Sequence, residues 1–116
     1  MDMAEPLWRP PHERIERAHI TAFLRWLERE RALEFANYEA LWHWSVTELE
    51  AFWGALWDFL DIRASRPYDL VLGSRAMPGA EWFVGARLNV VDQVFRHVTD
   101  ARPAITALAR REQNPT

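Results

Sequence analysis

The sequence contains no cysteine in 116 residues. Disulfides and thiolate metal sites are therefore excluded. The absence suits a reducing compartment, and a cytoplasmic location is the expectation. Long apolar runs are missing too. None approaches the ~20 residues that a membrane-spanning helix needs, so no membrane partner is expected. The opening MDMAEPLWRPPHER is acidic and proline-rich, and lacks the basic and apolar regions of a signal peptide. There is no basic surplus: the net charge is −3 and the pI near 5.8. Nucleic-acid binders usually carry one, so no nucleic-acid partner is expected. Trp42 and Trp44 beside His43 could stack bases, but the acidic balance weighs against it.

Catalytic signatures are equally scarce. His12, His19, His43 and His97 include no pair at four-residue helical spacing, and HExxH does not occur. His12 and His19 stand seven apart, too loose for a metal site without further ligands. Neither Ser45 nor Ser65 lies in a GxSxG elbow. A Walker loop and GxGxxG are absent. Asp58 and Asp61 could share a helix face, but a solvated helix end is the ordinary reading of such a pair. No catalytic, cofactor-binding or metal residue is assigned.

What is present is apolar and aromatic. Hydrophobic residues make up 49% and charged residues 27%, as in an ordinary globular protein. The length suits one domain with a modest core. Seven tryptophans occur. Each can bury roughly 150–250 Å². Most are expected in the core, and a minority in a patch awaiting a partner.

Periodicity predicts a mainly α fold. Pro10 and Pro11 suit a helix entry. Ile15, Ile20, Phe23, Leu24 and Leu27 share a broad face, predicting one helix from about His12 to Arg31. Glu13 and Arg17 form a favourable i,i+4 pair on it. A short helix is expected over residues 38–44. SVTE, residues 45–48, matches a capping box, with Ser45 as N-cap and Glu48 reaching back. Leu49, Phe52, Trp53, Leu56, Trp57 and Leu60 then form one apolar stripe, the expected centre of the core. Loss of the Trp53 ring, if fully buried, should cost roughly 3–5 kcal/mol.

Residues 61–88 carry Pro67, Gly73, Pro78, Gly79 and Gly85, and predict a long irregular loop with a short strand at Tyr68–Leu72. Within it, MPGAEWFVGARLN is unusually apolar for a loop. Loops of this length are often functional or docked on something else. Asn89 reads as an N-cap, with Asp92 in the first turn and Val91, Val94, Phe95 and Val98 following, so a helix is expected over Val90–Thr99. PAITALAR, residues 103–110, reads as a strand with no sheet to join, as if a larger domain began there.

FANYEALWHWSVTELEAFWGALWDFLDI, followed by RPYDLVLGSRAMPGAEWFVGARLN, closely resembles the N-terminal region of the acetoacetate–CoA ligase (acetoacetyl-CoA synthetase) family. A looser likeness extends to acetyl-CoA synthetases, and PLWRPPHERIERAHITAFLRWLERE resembles the start of the same enzymes. Together these stretches cover nearly the whole chain. The family pattern has Pro after Trp-Phe and continues LNYAENLLR, whereas this chain has Val84 and VVDQVFR. Those departures suggest relaxed constraint at a seam with another domain.

The resemblance implies an AMP-forming ligase of the adenylate-forming superfamily. ATP and acetoacetate form an acyl-adenylate with release of pyrophosphate. CoA then takes the acyl group and AMP leaves. ATP, Mg and CoA would be cofactors of the full-length enzyme, with none held by this chain. The phosphate-gripping loop and the adenylation lysine of such enzymes lie downstream of this region. Residues 1–102 would form a small helical cap domain of about four helices, with a long apolar loop and one or two short strands. Residues 103–116 would begin the adenylation (AMP-binding) domain, the last strand resembling its first. Trp82, Phe83, Arg87, Leu88 and Asn89 would then dock the cap on that large domain, Arg87 pairing with a carboxylate or with carbonyls. Exposed apolar surface would also permit self-association. Two further readings stand beside this one: a stand-alone helical interaction module derived from the family, and, more distantly, a small-molecule binder using the tryptophans.

Overall fold

The computed structural model describes residues 5–107. It is mainly α, with five helices and one two-stranded antiparallel sheet among those residues. The chain divides between Asp61 and Ile62 into two compact units, one helical and one built on the sheet.

The predicted first helix is two: α1, His12–Glu16, and α2, His19–Arg31. Pro11 is extended and opens α1, as the proline pair suggested. The break falls at Ala18, whose backbone is extended at φ −69°, ψ 143°. No proline or glycine causes it. At about 100° per residue, an unbroken helix would set Ile15 roughly 80–120° around from Phe23 and Leu27. The apolar residues on the two sides are thus out of phase, and the break lets α1 turn independently. The Thr21 hydroxyl donates to the Ile15 carbonyl across it, and Arg25 pairs with Glu16. Glu13 and Arg17 form their expected pair at 3.3 Å. At its far end α2 stops at Ala32, left-handed at φ 54°.

Helix α3, Tyr38–Thr47, is capped by Asn37, whose side chain accepts from the Ala40 N–H at 2.9 Å. It runs straight through Ser45, so the expected capping box does not form. Ser45 donates to the Trp42 carbonyl instead, and Thr47 to the His43 carbonyl. The chain turns at Glu48 into α4, Leu49–Phe59, which has no side-chain cap.

Phe23, Leu27, Leu41 and Ala55 form the buried cluster, with Trp26, Phe35, Trp44, Phe52, Leu56 and Phe59 packed around it. The inward face of α4 is therefore Phe52, Ala55, Leu56 and Phe59, rotated from the predicted stripe. Trp53 and Leu60 are turned outward, at 40% and 46% exposure. Aromatic edges knit the cluster: the Phe23 ring lies 5.1 Å from Phe59 and 6.2 Å from Phe52. Arg31 pairs with Asp58 and covers the Trp26 ring at 5.0 Å, tying α2 to α4. Asp58 is thus a partner in a surface ion pair. The tryptophans are less buried than expected. Trp8, Trp42, Trp53 and Trp82 are exposed, and Trp26, Trp44 and Trp57 are half-buried.

The second unit pairs β1, Leu70–Ser74, with β2, Glu81–Val84. The expected irregular loop is thus largely a hairpin, its single predicted strand lying two residues late and finding a partner. Register runs Leu70 to Val84, Leu72 to Trp82 and Ser74 to Glu81, with Gly73 as the extra residue of a bulge. A Cβ on Gly73 would sit 2.7 Å from Val84 Cγ2, so the close approach of the strands needs glycine there. Helix α5, Val90–Phe95, is shorter than expected and ends before Thr99. Residues 103–107 are not a strand; the rest of the expected strand lies outside the described residues.

Leu27 is fully enclosed, so Leu27→Ala should cost about 3 kcal/mol in urea denaturation. Trp53→Ala, on the half-open face, should cost about 1 kcal/mol. The reverse order of the two would contradict this placement of the core.

Candidate docking surface

MPGAEWFVGARLN, residues 77–89, is the apolar stretch that stands out in the sequence, and it lies in the sheet unit. Trp82 lies in β2 opposite Leu72, and stays 41% exposed. Phe83 turns inward and meets Tyr68 edge-on at 5.4 Å. Its backbone is left-handed at φ 47°, followed by Gly85 at φ 84°. These two residues reverse the chain, with the Ala86 N–H returning to the Phe83 carbonyl at 3.0 Å. Gly85 is also boxed in: a Cβ there would lie 2.3 Å from Asp69 Oδ2. Asp69 in turn pairs with Arg66 at 3.0 Å.

Arg87 acts through its backbone. Its N–H donates to the Arg66 carbonyl at 3.0 Å, and its carbonyl accepts from the Ser65 N–H at 2.8 Å and hydroxyl at 3.0 Å. Its side chain is on the exposed surface. Leu88 is also exposed. Asn89 caps α5 as predicted, Oδ1 accepting from the Val91 N–H at 2.9 Å. Gln93 anchors that helix by bonding both backbone groups of Arg63.

Trp82, Leu88 and Asn89 therefore stand outward, while Phe83 and the Arg87 backbone hold the unit together. The larger apolar exposure was not foreseen. Val90, Val91, Val94, Phe95 and Val98 all stand in solvent, Val90 at 70%. Their spacing predicts a helix over Val90–Thr99 without saying what its apolar residues face. In this unit, however, Leu72 is the buried hydrophobic residue among those described. The helical unit, by contrast, buries Phe23, Leu27, Leu41 and Ala55 together. In VVDQVF the apolar residues span an arc of about 140°, the ordinary face of an amphipathic helix, so spacing alone gives no sign that this face lacks a partner within the unit.

No cluster of three or more metal-ligating side chains exists among the described residues. No helix among them is long and apolar enough to cross a membrane. Glu16 has its carboxyl held below the ordinary value, first by the Arg25 hydrogen bond, then by the Arg25 charge, with His12 adding a little. That group is a surface link between α1 and α2. The tryptophans do not gather into a ligand site. Trp42 lines an open apolar groove of about 360 Å³ with Phe23, Tyr38, Leu41, Phe52 and Phe59. Trp44 instead packs on Phe35 at 5.1 Å and Phe52 at 5.6 Å.

Comparison with known proteins gives the chain its relatives. Residues 38–94 match the family described as acetyl-coenzyme A synthetase N-terminus. A malonamoyl-CoA synthetase of Penicillium aethiopicum is 38% identical over 93 residues, covering 78% of this chain and 13% of that protein. The acetoacetyl-CoA synthetase of Xenopus tropicalis is 31% identical over 115 residues, covering 96% of this chain and 16% of its own length. Among solved structures, the acetoacetyl-CoA synthetase of Streptomyces lividans is 47% identical with a TM-score of 0.72, covering 79% of this chain and 14% of that one. The chain thus spans about one-seventh of the length of these relatives. The resemblance to the N-terminal region of acetoacetate–CoA ligases holds, and residues 38–94 belong to the acetyl-coenzyme A synthetase N-terminus family.

The Gly85 turn sets where Arg87, Leu88 and Asn89 emerge. Gly85→Ala should therefore lower the thermal midpoint and broaden the backbone NMR signals of residues 66–69 and 83–87, leaving those of α2 and α4 in place. Unchanged hairpin signals would show that the turn tolerates a side chain.

Proposed function

We propose that this chain serves as the N-terminal helical cap of an AMP-forming acetoacetate–CoA ligase and makes no acyl-CoA alone. The observation that carries this reading is the likeness to the Streptomyces lividans synthetase, which spans most of this chain and a small part of that enzyme. In the complete ligase, ATP and acetoacetate give acetoacetyl-adenylate and pyrophosphate. The CoA thiol then takes the acyl group and AMP departs. ATP, Mg and CoA are held by the remainder of the enzyme, in the cytoplasm.

The residues support a non-catalytic role. The 116-residue sequence contains no lysine, its cations being arginine and histidine. The lysine that serves adenylation in such ligases therefore has no counterpart in it. The acyl group is also chosen elsewhere. The same stretch aligns with enzymes named for malonamoyl-CoA and for acetoacetyl-CoA, so it does not discriminate between the two acids. The part left to the cap is structural: Trp82, Leu88 and Asn89, with the α5 valines, meet the large adenylation domain.

A reconstitution assay tests this. The Streptomyces lividans synthetase, shortened by the region this chain matches, is assayed for pyrophosphate release from ATP and acetoacetate with and without this chain. The chain alone should be inactive, and its addition should raise the activity of the shortened enzyme several-fold. Pyrophosphate release by the chain alone, or no effect of adding it, would overturn the proposal.

A further inference from the structure

The two units differ in what holds them, and that difference has a consequence for how the protein folds. The helical unit encloses Phe23, Leu27, Leu41 and Ala55 and packs a ring of aromatics on them. The sheet unit has Leu72 buried at 8% exposure, while Leu70, Trp82, Val90, Val91, Val94 and Phe95 are each 41% exposed or more. Its regular structure is a two-stranded hairpin and a six-residue helix. An isolated hairpin is marginal in water at best, and a six-residue helix is far below the length that persists without packing. Among the described residues each strand has the other as its sole sheet neighbour, which leaves an outer edge on both.

The hairpin is nevertheless fitted in detail. Gly73 admits close approach of Val84, and Gly85 admits Asp69. Arg66 and Arg87 exchange backbone hydrogen bonds at 3.0 and 3.3 Å. Gln93 holds α5 to Arg63. Such bonds fix a geometry but contribute little net stability each. The unit therefore has a specified shape and only a small core, Leu72 with half-buried Tyr68, Val71, Phe83 and Val84.

We infer that residues 62–105 fold by docking: the hairpin and α5 become ordered against the body of an adenylate-forming ligase, while the helical unit folds without it. The occupant follows from the relatives, whose remaining six-sevenths this chain does not include. The inference rests on the cap reading for its occupant, and on burial alone for the instability of the free hairpin. It makes the cap a two-part device. The helical unit is stable from the start, and the second unit reports whether the enzyme body is present.

Hydrogen–deuterium exchange on the full chain separates these claims. In the dilute chain alone, the amides of Asp69, Ala86 and Arg87 should exchange on the order of 100-fold faster than those of Leu41, Phe52 and Leu60. Adding the shortened Streptomyces lividans synthetase should slow the first group and leave the second unchanged. Equal protection of both groups in the dilute chain would overturn the inference, even if reconstitution succeeded. Protection that rises with chain concentration alone would name a second copy as the occupant and overturn the ligase body. Fast exchange that persists in the presence of the shortened synthetase would overturn it too.

Discussion

Enclosure of Leu27 and Phe23 against Ala55 and Leu41 is the contact on which the helical unit depends. Everything else in that unit is an addition to it. Ala55 is small, which lets α2 lie close to α4, and the Phe52 and Phe59 rings then close over Phe23. The outer pair of Arg31 and Asp58 fixes the edge of the same contact at the cost of little burial. Among the described residues from Ile62 onward, Leu72 is the buried hydrophobic residue. The contrast between the two units organises the fold.

Much of this was legible where the cause is local. Asn89 caps its helix because a side-chain oxygen needs only the next two residues to find a donor. The entry at Pro11 and the Glu13–Arg17 pair are local in the same sense. The misreadings have non-local causes. SVTE satisfies the capping pattern, yet the helix before it does not stop, and Ser45 serves the Trp42 carbonyl instead. Whether a helix stops there depends on how Trp44 packs on Phe35 and Phe52, which no four-residue window contains. The break at Ala18 is a phase mismatch between apolar residues on its two sides. The hairpin hid among prolines and glycines because its strands are defined by each other.

The docking surface was half visible. MPGAEWFVGARLN stood out as apolar, and Trp82 is indeed displayed. Phe83 and Arg87 serve the inside of the turn, one by its ring and one by its backbone. The main apolar display is α5, since periodicity reports a face without reporting what lies against it. The chain spans about one-seventh of the length of its relatives, and the proposed cap role assigns these residues to the contact with the remainder.

The central claim is that this surface exists to be buried by a ligase body. Calorimetric titration of the chain into the shortened Streptomyces lividans synthetase at several temperatures measures that burial directly. Removal of apolar surface from water gives a negative heat-capacity change. The account predicts binding with a clearly negative value that shrinks when Val94 and Phe95 are replaced by serine. Binding with a heat-capacity change near zero, or no binding at all, would contradict it.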